Sequence, residues 1–307
     1  MSISKFVNVC SRGNLEVAKR LIQLYPSVVN VSVCNDLAFR SACAYGHLEV
    51  AQWLIHICPS VNISSHNNFA FQNACQNGHL EVAKWLVELY PSAVYISSDD
   101  YDYVFEDVCS RGHLEVAKWL LQLYPSTALN DYIFSSTCLH GHLDVAKWLV
   151  QIWPSAFNNY AFRNACLNGH LEVAKWLVES YPSVVNISAD NDTAFRFACT
   201  SGHLEVAKWL IHTNPQINIS ADDDTAFTFA CTLGHLEVAK WLVQIRPYHY
   251  MIDLDQYQTR ILSWRIRSIQ EIKWLERAVP ILAYNSKTPN IFQRLNYDTM
   301  RYICEFV

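Results

Sequence analysis

The side chains with the most reactive chemistry in this 307-residue chain are cysteine and histidine, and they recur together as Cys-x-x-Gly-His. Cys75 with His79 and Cys199 with His203 are two instances. A thiolate beside an imidazole can ligate zinc or act as an activated nucleophile. Structural zinc needs four convergent ligands, whereas each occurrence offers two, placed across a glycine that would end a helix. Successive occurrences would stand about 10 Å apart if each sits on its own packed helix. A catalytic thiol needs one singular activated site, not a series of equal copies. Cys34, Cys58 and Cys304 fall outside the pattern, with no histidine or acid at motif spacing around them. The pattern therefore predicts buried core thiols, with no metal, no cofactor and no catalysis.

The elements that carry this pattern are set by the rarest residues. The eight glycines, from Gly13 to Gly234, are separated by 33, 32, 34, 29, 28, 33 and 32 residues, a period that marks a stack of structural repeats. Three residues before each stands a cysteine, seven before a phenylalanine (Phe6 to Phe227), and thirteen after a proline (Pro26 to Pro247). In one unit, FAFQNACQNGHLEVAKWLVELYP, the spacing predicts a short helix, a glycine turn at Gly78, a longer helix and a stop at Pro91. Leu80, Val82, Ala83, Trp85, Leu86 and Leu89 cover most of the second helix, leaving Glu81, Lys84 and Glu88 as one wet stripe. Such a helix is packed on several sides, so one unit needs its neighbours. Seven tryptophans, Trp53 to Trp241, share one position in it, which favours a packing role.

Eight clear repeats occupy residues 1–258. A degenerate ninth fits 259–284, where Lys273, Trp274, Leu275 and Pro280 keep register while Arg267 replaces the glycine. Divergence of this kind suits a cap, which has one neighbour instead of two. Residues 285–307 read as a capping helix or a hook. A charged fraction of 17% with 51% hydrophobic residues excludes disorder, and a net charge of −5 argues against nucleic acid or an anionic membrane as partner. The start of the chain shows no signal peptide or spanning segment, and the eleven cysteines suit a reducing compartment, so an intracellular location, cytoplasm or nucleus, is expected.

The stretch TAFRFACTSGHLEVAKWL, Thr193 to Leu210, resembles the ankyrin repeat, and the likeness recurs in register across residues 1–284. The GHLEVAKWL wording is similar to the arrays of giant DNA viruses and protists. The resemblance implies an all-α, ankyrin-type helical solenoid of eight clear repeats plus a degenerate C-terminal capping repeat. It further implies a protein-interaction scaffold whose partner lies on the concave face and the finger loops. The family's motif histidine is replaced here by Arg40, Gln72, Glu106, Ser135, Arg163, Arg196 or Thr228, and its proline by Ala194 and Ala226.

On that expectation the concave face carries Arg40, Asn73, Asp107, Arg163, Asn164, Arg196, Phe197 and Phe229 after the phenylalanines, and Tyr45, Asn77, Arg111, His140 and Asn168 before the glycines. Phe197 and Phe229 form an apolar anchor pair if they are not buried between repeats. Loop tips are acidic at Asp99, Asp100 and Asp102, at Asp190 and Asp192, and at Asp222, Asp223 and Asp224. They serve either as solvated turns, where Asp and Asn tolerate turn geometry, or as a binding edge for a basic partner. Two loops, after Gly112 and Gly141, are shortened. The tail FQRLNYDTMRYICEFV, with Phe292, Leu295, Ile303 and Val307, weakly resembles the start of an F-box, though Asn296 stands where proline is usual. The alternative function is thus a substrate receptor that recruits a cullin ubiquitin-ligase adaptor.

Overall fold

The computed structural model describes residues 3–25, 31–91, 98–125, 129–156 and 158–246. The expected ninth repeat, 259–284, and the tail, 285–307, lie outside the described residues. Among the described residues every regular element is helical, and the helices come in pairs. They divide into two compact units, one of residues 1–165 with 170–185, the other of 166–169 with residues from 186 on.

In the first unit the pairs are α1 (Ile3–Ser11) with α2 (Leu15–Leu24), α3 (Val31–Ala44) with α4 (Leu48–Ile57), α5 (Ser65–Gln76) with α6 (Leu80–Leu89), α7 (Ser98–Ser110) with α8 (Leu114–Leu123), and α9 (Asp131–Leu139) with α10 (Leu143–Ile152). The pair α11 (Asn159–Leu167) and α12 (Leu171–Ser180) follows. The second unit holds α13 (Ala189–Thr200) with α14 (Leu204–Thr213) and α15 (Ala221–Thr232) with α16 (Leu236–Ile245). Within each unit first helices stack on first helices, as α1 on α3, α3 on α5, α5 on α7, α7 on α9 and α13 on α15.

The repeated residues explain each pair. All eight glycines have φ between +70° and +82°, which a side chain would strain. His79 N donates to Ala74 O and Gly78 N to Cys75 O, the carbonyl-satisfying closure expected where a helix ends on a left-handed residue. The second helices stop one residue before proline, as at Tyr90, whose extended geometry the following ring imposes. Phe39, Phe71, Phe105, Phe134, Phe162 and Phe195 are wholly buried, each worth about 1.5–3 kcal/mol on leaving water. Four tryptophans reach the phenylalanine of the repeat before them, Trp85 to Phe39, Trp119 to Phe71, Trp148 to Phe105 and Trp241 to Phe195, at 6.3–6.4 Å between ring centres, while Trp176 meets Tyr181 of its own repeat edge-on at 6.0 Å. Tryptophan therefore joins neighbours rather than offering a free surface. The outer stripe is closed by Lys–Glu pairs such as Lys118 with Glu115 at 2.9 Å, exposed contacts of small energetic weight.

Two sequence expectations change at the loops. Asp99 and Asp100 do not form a loop tip: they lie in the first turn of α7, where acidic residues suit the positive end of a helix. The acids of the last two repeats form a tight left-handed turn instead of an open finger. Asp190, Asn191 and Asp192 have φ of 53°, 62° and 57°, and Asp222, Asp223 and Asp224 have φ of 57°, 53° and 56°. Asp and Asn are the L-residues that visit this region most readily, because their short side chains bond locally. Right-handed helix begins only at Thr193 and Thr225.

Candidate partner-binding face

The cysteine and histidine of the recurring motif do separate work. Eight cysteines of the ladder are buried, and burial pushes the Cys10 and Cys231 thiols up to about 12 and the rest higher still, away from a reactive thiolate. The histidine ring leaves its own repeat and docks on the glycine turn of the preceding one. His47 Nε2 donates to Ser11 O at 3.0 Å, and His79, His113, His142 and His170 reach the carbonyls of Ala44, Gln76, Ser110 and Leu139 in the same way. Desolvation is the main cause that lowers the pKa of these last four rings, so they are held neutral. A Cβ added at Gly112 would sit 2.3 Å from His142 Nδ1, and the clash recurs at the other internal turns. Glycine is thus required twice, for its backbone and for its neighbour's ring. In the first repeat Asn14 stands in the place of the histidine, and its side chain caps α2 by accepting from Val17 N. Among the described residues no group of three or more His, Cys, Asp or Glu could hold a metal ion.

The expected face of the first helices is partly open and partly knotted onto itself. Tyr45, Arg111, His140 and Phe229 are exposed, while Arg40, Asn73, Asn77, Asp107, Arg163, Arg196 and Phe197 are half-buried. Asn77 Nδ2 donates to Ala44 O at 3.0 Å and its Oδ1 accepts from Arg111, whose Nε lies 2.8 Å from Asp107. These three candidates form one inter-repeat ladder. His140 Nδ1 bonds Ser136 O at 2.8 Å, and Asn73 Nδ2 donates to Phe69 O at 3.0 Å. The Arg40 guanidinium lies 5.3 Å over the Phe69 ring and that of Arg163 4.4 Å over the Tyr160 ring.

Arg196 belongs to the loops more than to a partner. Its Nε donates to Asn191 O, its Nη2 to Asp190 O and Thr193 Oγ1, and its Nη1 lies 2.6 Å from Asp222. It therefore holds the loop of its own repeat and ties it to the next. Asp192 is buried and accepts from Asn218 N of the next repeat at 2.9 Å, as Asp36 accepts from Asn62 N at 3.1 Å. Of the acidic tips, Asp222 is thus engaged inside the unit and Asp223 stands in solvent. The apolar pair resolves unequally, with Phe229 47% exposed and Phe197 half-buried.

Sequence reading overlooked the position two residues before each core phenylalanine. In five successive repeats of the first unit it carries Leu37, Phe69, Tyr103, Tyr132 and Tyr160, with exposures rising from 40% at Phe69 to 65% at Tyr160. The family pattern has threonine there, and the departure from it was the available signal. In the last two repeats Thr193 and Thr225 occupy the position and bond the carbonyls of Asp190 and Asp222.

The family model for ankyrin repeats matches residues 6–100, 134–223 and 162–253, more than half of the chain, and the chain belongs to the ankyrin-repeat family. Among solved structures, it is similar to the crystal structure of the human ASB11 ankyrin repeat domain, with 17% identity and a TM-score of 0.44 over 61% of this chain and 95% of that one. No curated protein matches it. Ankyrin repeats are protein–protein interaction modules, and the proteins built from them are typically non-enzymatic scaffolds.

Proposed function

We propose that this chain is a non-enzymatic scaffold, acting inside the cell, that holds a protein partner along its first-helix face and adjoining loops. One observation carries the reading. The repeated phenylalanine and cysteine are buried, whereas the variable position just before the glycine, at the end of the first helices, carries Tyr45, Arg111 and His140, all exposed, with Arg111 also bonded to Asn77 of the repeat before it. A chain that only needed to stack would have no use for large exposed aromatic groups there, since they gain nothing from burial. The buried thiols and docked imidazoles of the recurring motif support the non-enzymatic part, because they are committed to packing.

The test is affinity capture from lysate of the source cells by the full chain and by a Tyr45→Ala, Arg111→Ala, His140→Ala variant. A stoichiometric partner held by the native chain and lost by the variant, at unchanged melting temperature, is expected. Equal retention by both would place the binding surface elsewhere.

A further inference from the structure

The row formed by Leu37, Phe69, Tyr103, Tyr132 and Tyr160 is a set of large apolar side chains left in solvent by the first unit, and it is regular. One residue per repeat occupies it, and α3, α5, α7 and α9, which carry its first four members, are stacked in sequence. Its most exposed members, Tyr132 and Tyr160, stand at the second residue of α9 and α11, where the shortened loops begin the helix directly. Arg40 and Arg163 already lie over rings of the row, so these rings are used as faces for flat or cationic groups.

The spacing selects the shape of the occupant. Packed helices stand about 8–10 Å apart, so the row offers a ring at about that interval. A polyproline-type strand repeats its side chains every three residues of ~3.1 Å, about 9.3 Å, and stays in step over several repeats. A β-strand brings a side chain to one face every ~6.7 Å and falls out of step within two. An α-helix could meet the interval only at every seventh residue and spends its carbonyls internally. A polyproline strand leaves its carbonyls free to accept from hydroxyl donors, and tyrosines 103, 132 and 160 supply such donors.

Charge selects its sequence. Around Tyr103 and Tyr132 the helices α7 and α9 carry Asp102, Glu106, Asp107 and Asp131, and Arg111, just past the end of α7, pairs with Asp107 at 2.8 Å. Burial, and then the charge of Asp107 beside it, push the Glu106 carboxyl up. A cation arriving there from a partner would relieve it.

Resting on the scaffold reading above, we infer that the tyrosine row of the first unit is a docking track for a proline-rich, polyproline-type segment of the partner, with a basic residue placed opposite Glu106. The experiment titrates a labelled peptide of about twelve residues, four polyproline turns, made of proline with one central arginine, onto the full chain by fluorescence anisotropy. The same measurement is made with glycine–serine in place of proline, with glutamate in place of the arginine, and with an amphipathic helical peptide. Saturable binding of the first is expected, with each of the other three at least about tenfold weaker. The Tyr103→Ser, Tyr132→Ser, Tyr160→Ser variant weakens binding by about tenfold or more, and the Tyr→Phe triple variant, which keeps the rings and the fold, by several-fold.

Absence of saturable binding, equal binding of the glycine–serine peptide, or preference for the helical one overturns the inference, as does indifference to both triple variants. If the natural partner survives the Tyr→Ser variant but is lost with Tyr45, Arg111 and His140, the scaffold reading stands and the track fails. Loss of the reverse kind separates them the other way.

Discussion

The repeats between Ser98 and Ser180 and those from Asn186 onward use one register for opposite ends. In the former, the position before the core phenylalanine holds Tyr103, Tyr132 and Tyr160, and their rings stand in solvent. In the latter it holds Thr193 and Thr225, whose hydroxyls close a left-handed turn of aspartates that Arg196 ties to the next repeat through Asp222. Before Tyr132 and Tyr160 a short connection leaves the helix start bare, whereas the longer polar ones before Thr193 and Thr225 fold over it and consume their own charges. Open surface and self-binding are therefore alternatives at a single repeat position, and the residue type there decides as much as the loop: Phe69 stays exposed behind a full-length loop in which His66 and Asn68 take a positive φ, because it has no hydroxyl to close the turn as Thr193 and Thr225 do.

The largest effect is expected at the glycine turns, where the comparison can be broken outright. Gly112→Ala pays for a strained φ, about 1–2 kcal/mol, and also displaces His142 with the loss of its hydrogen bond, so a total near ~3 kcal/mol is expected in urea unfolding. Gly234→Ala should cost only the strain, because among the described residues nothing lies within 4 Å of its added Cβ. Equal losses would remove the histidine from the account.

Next in size, Arg196→Ala should destabilise by about 1–2 kcal/mol by undoing the knot between the last two repeats, whereas Tyr132→Ala should change stability by less than about 0.5 kcal/mol. Similar denaturation midpoints for the two variants would erase the distinction between knotted and open face.

A graded effect follows from the four docked imidazoles His79, His113, His142 and His170, all in the first unit. Their folded pKa values lie below the ordinary 6.5, so the unfolded chain binds more protons as pH falls through that value. Their stability contribution is present above about pH 6.5 and is lost progressively below it. Urea midpoints should therefore fall between about pH 7.5 and about pH 5, and a His142→Gln variant should show a shallower fall; a flat profile would contradict neutral, docked rings. The smallest expected effect is none. A chelator should leave the melting temperature unchanged, and a drop of several degrees would restore the zinc reading of Cys-x-x-Gly-His.

Much of the fold was legible because each repeat reports the same constraint again. Gly78 in a left-handed turn, Phe71 in the core and the helix stop before Pro91 follow from local sterics and hydrophobic periodicity, which need no knowledge of the neighbours. The site was less legible. Arg196 and Asp222 are 26 residues apart and looked like two candidates for a partner until proximity paired them. Asp99 and Asp100 looked like a loop tip because an acidic run suits both a turn and the first turn of a helix.

The sequence by itself determined the period, the register, the ends of the helices and the burial of the thiols, since these depend on residue types at short range. Only the tertiary structure decided that histidine serves the preceding repeat, that Arg196 and Asp222 satisfy each other, and that tyrosines 103, 132 and 160 share one open row. Each of those facts joins residues from different repeats, and the distance between repeats is set by packing, not by the chain.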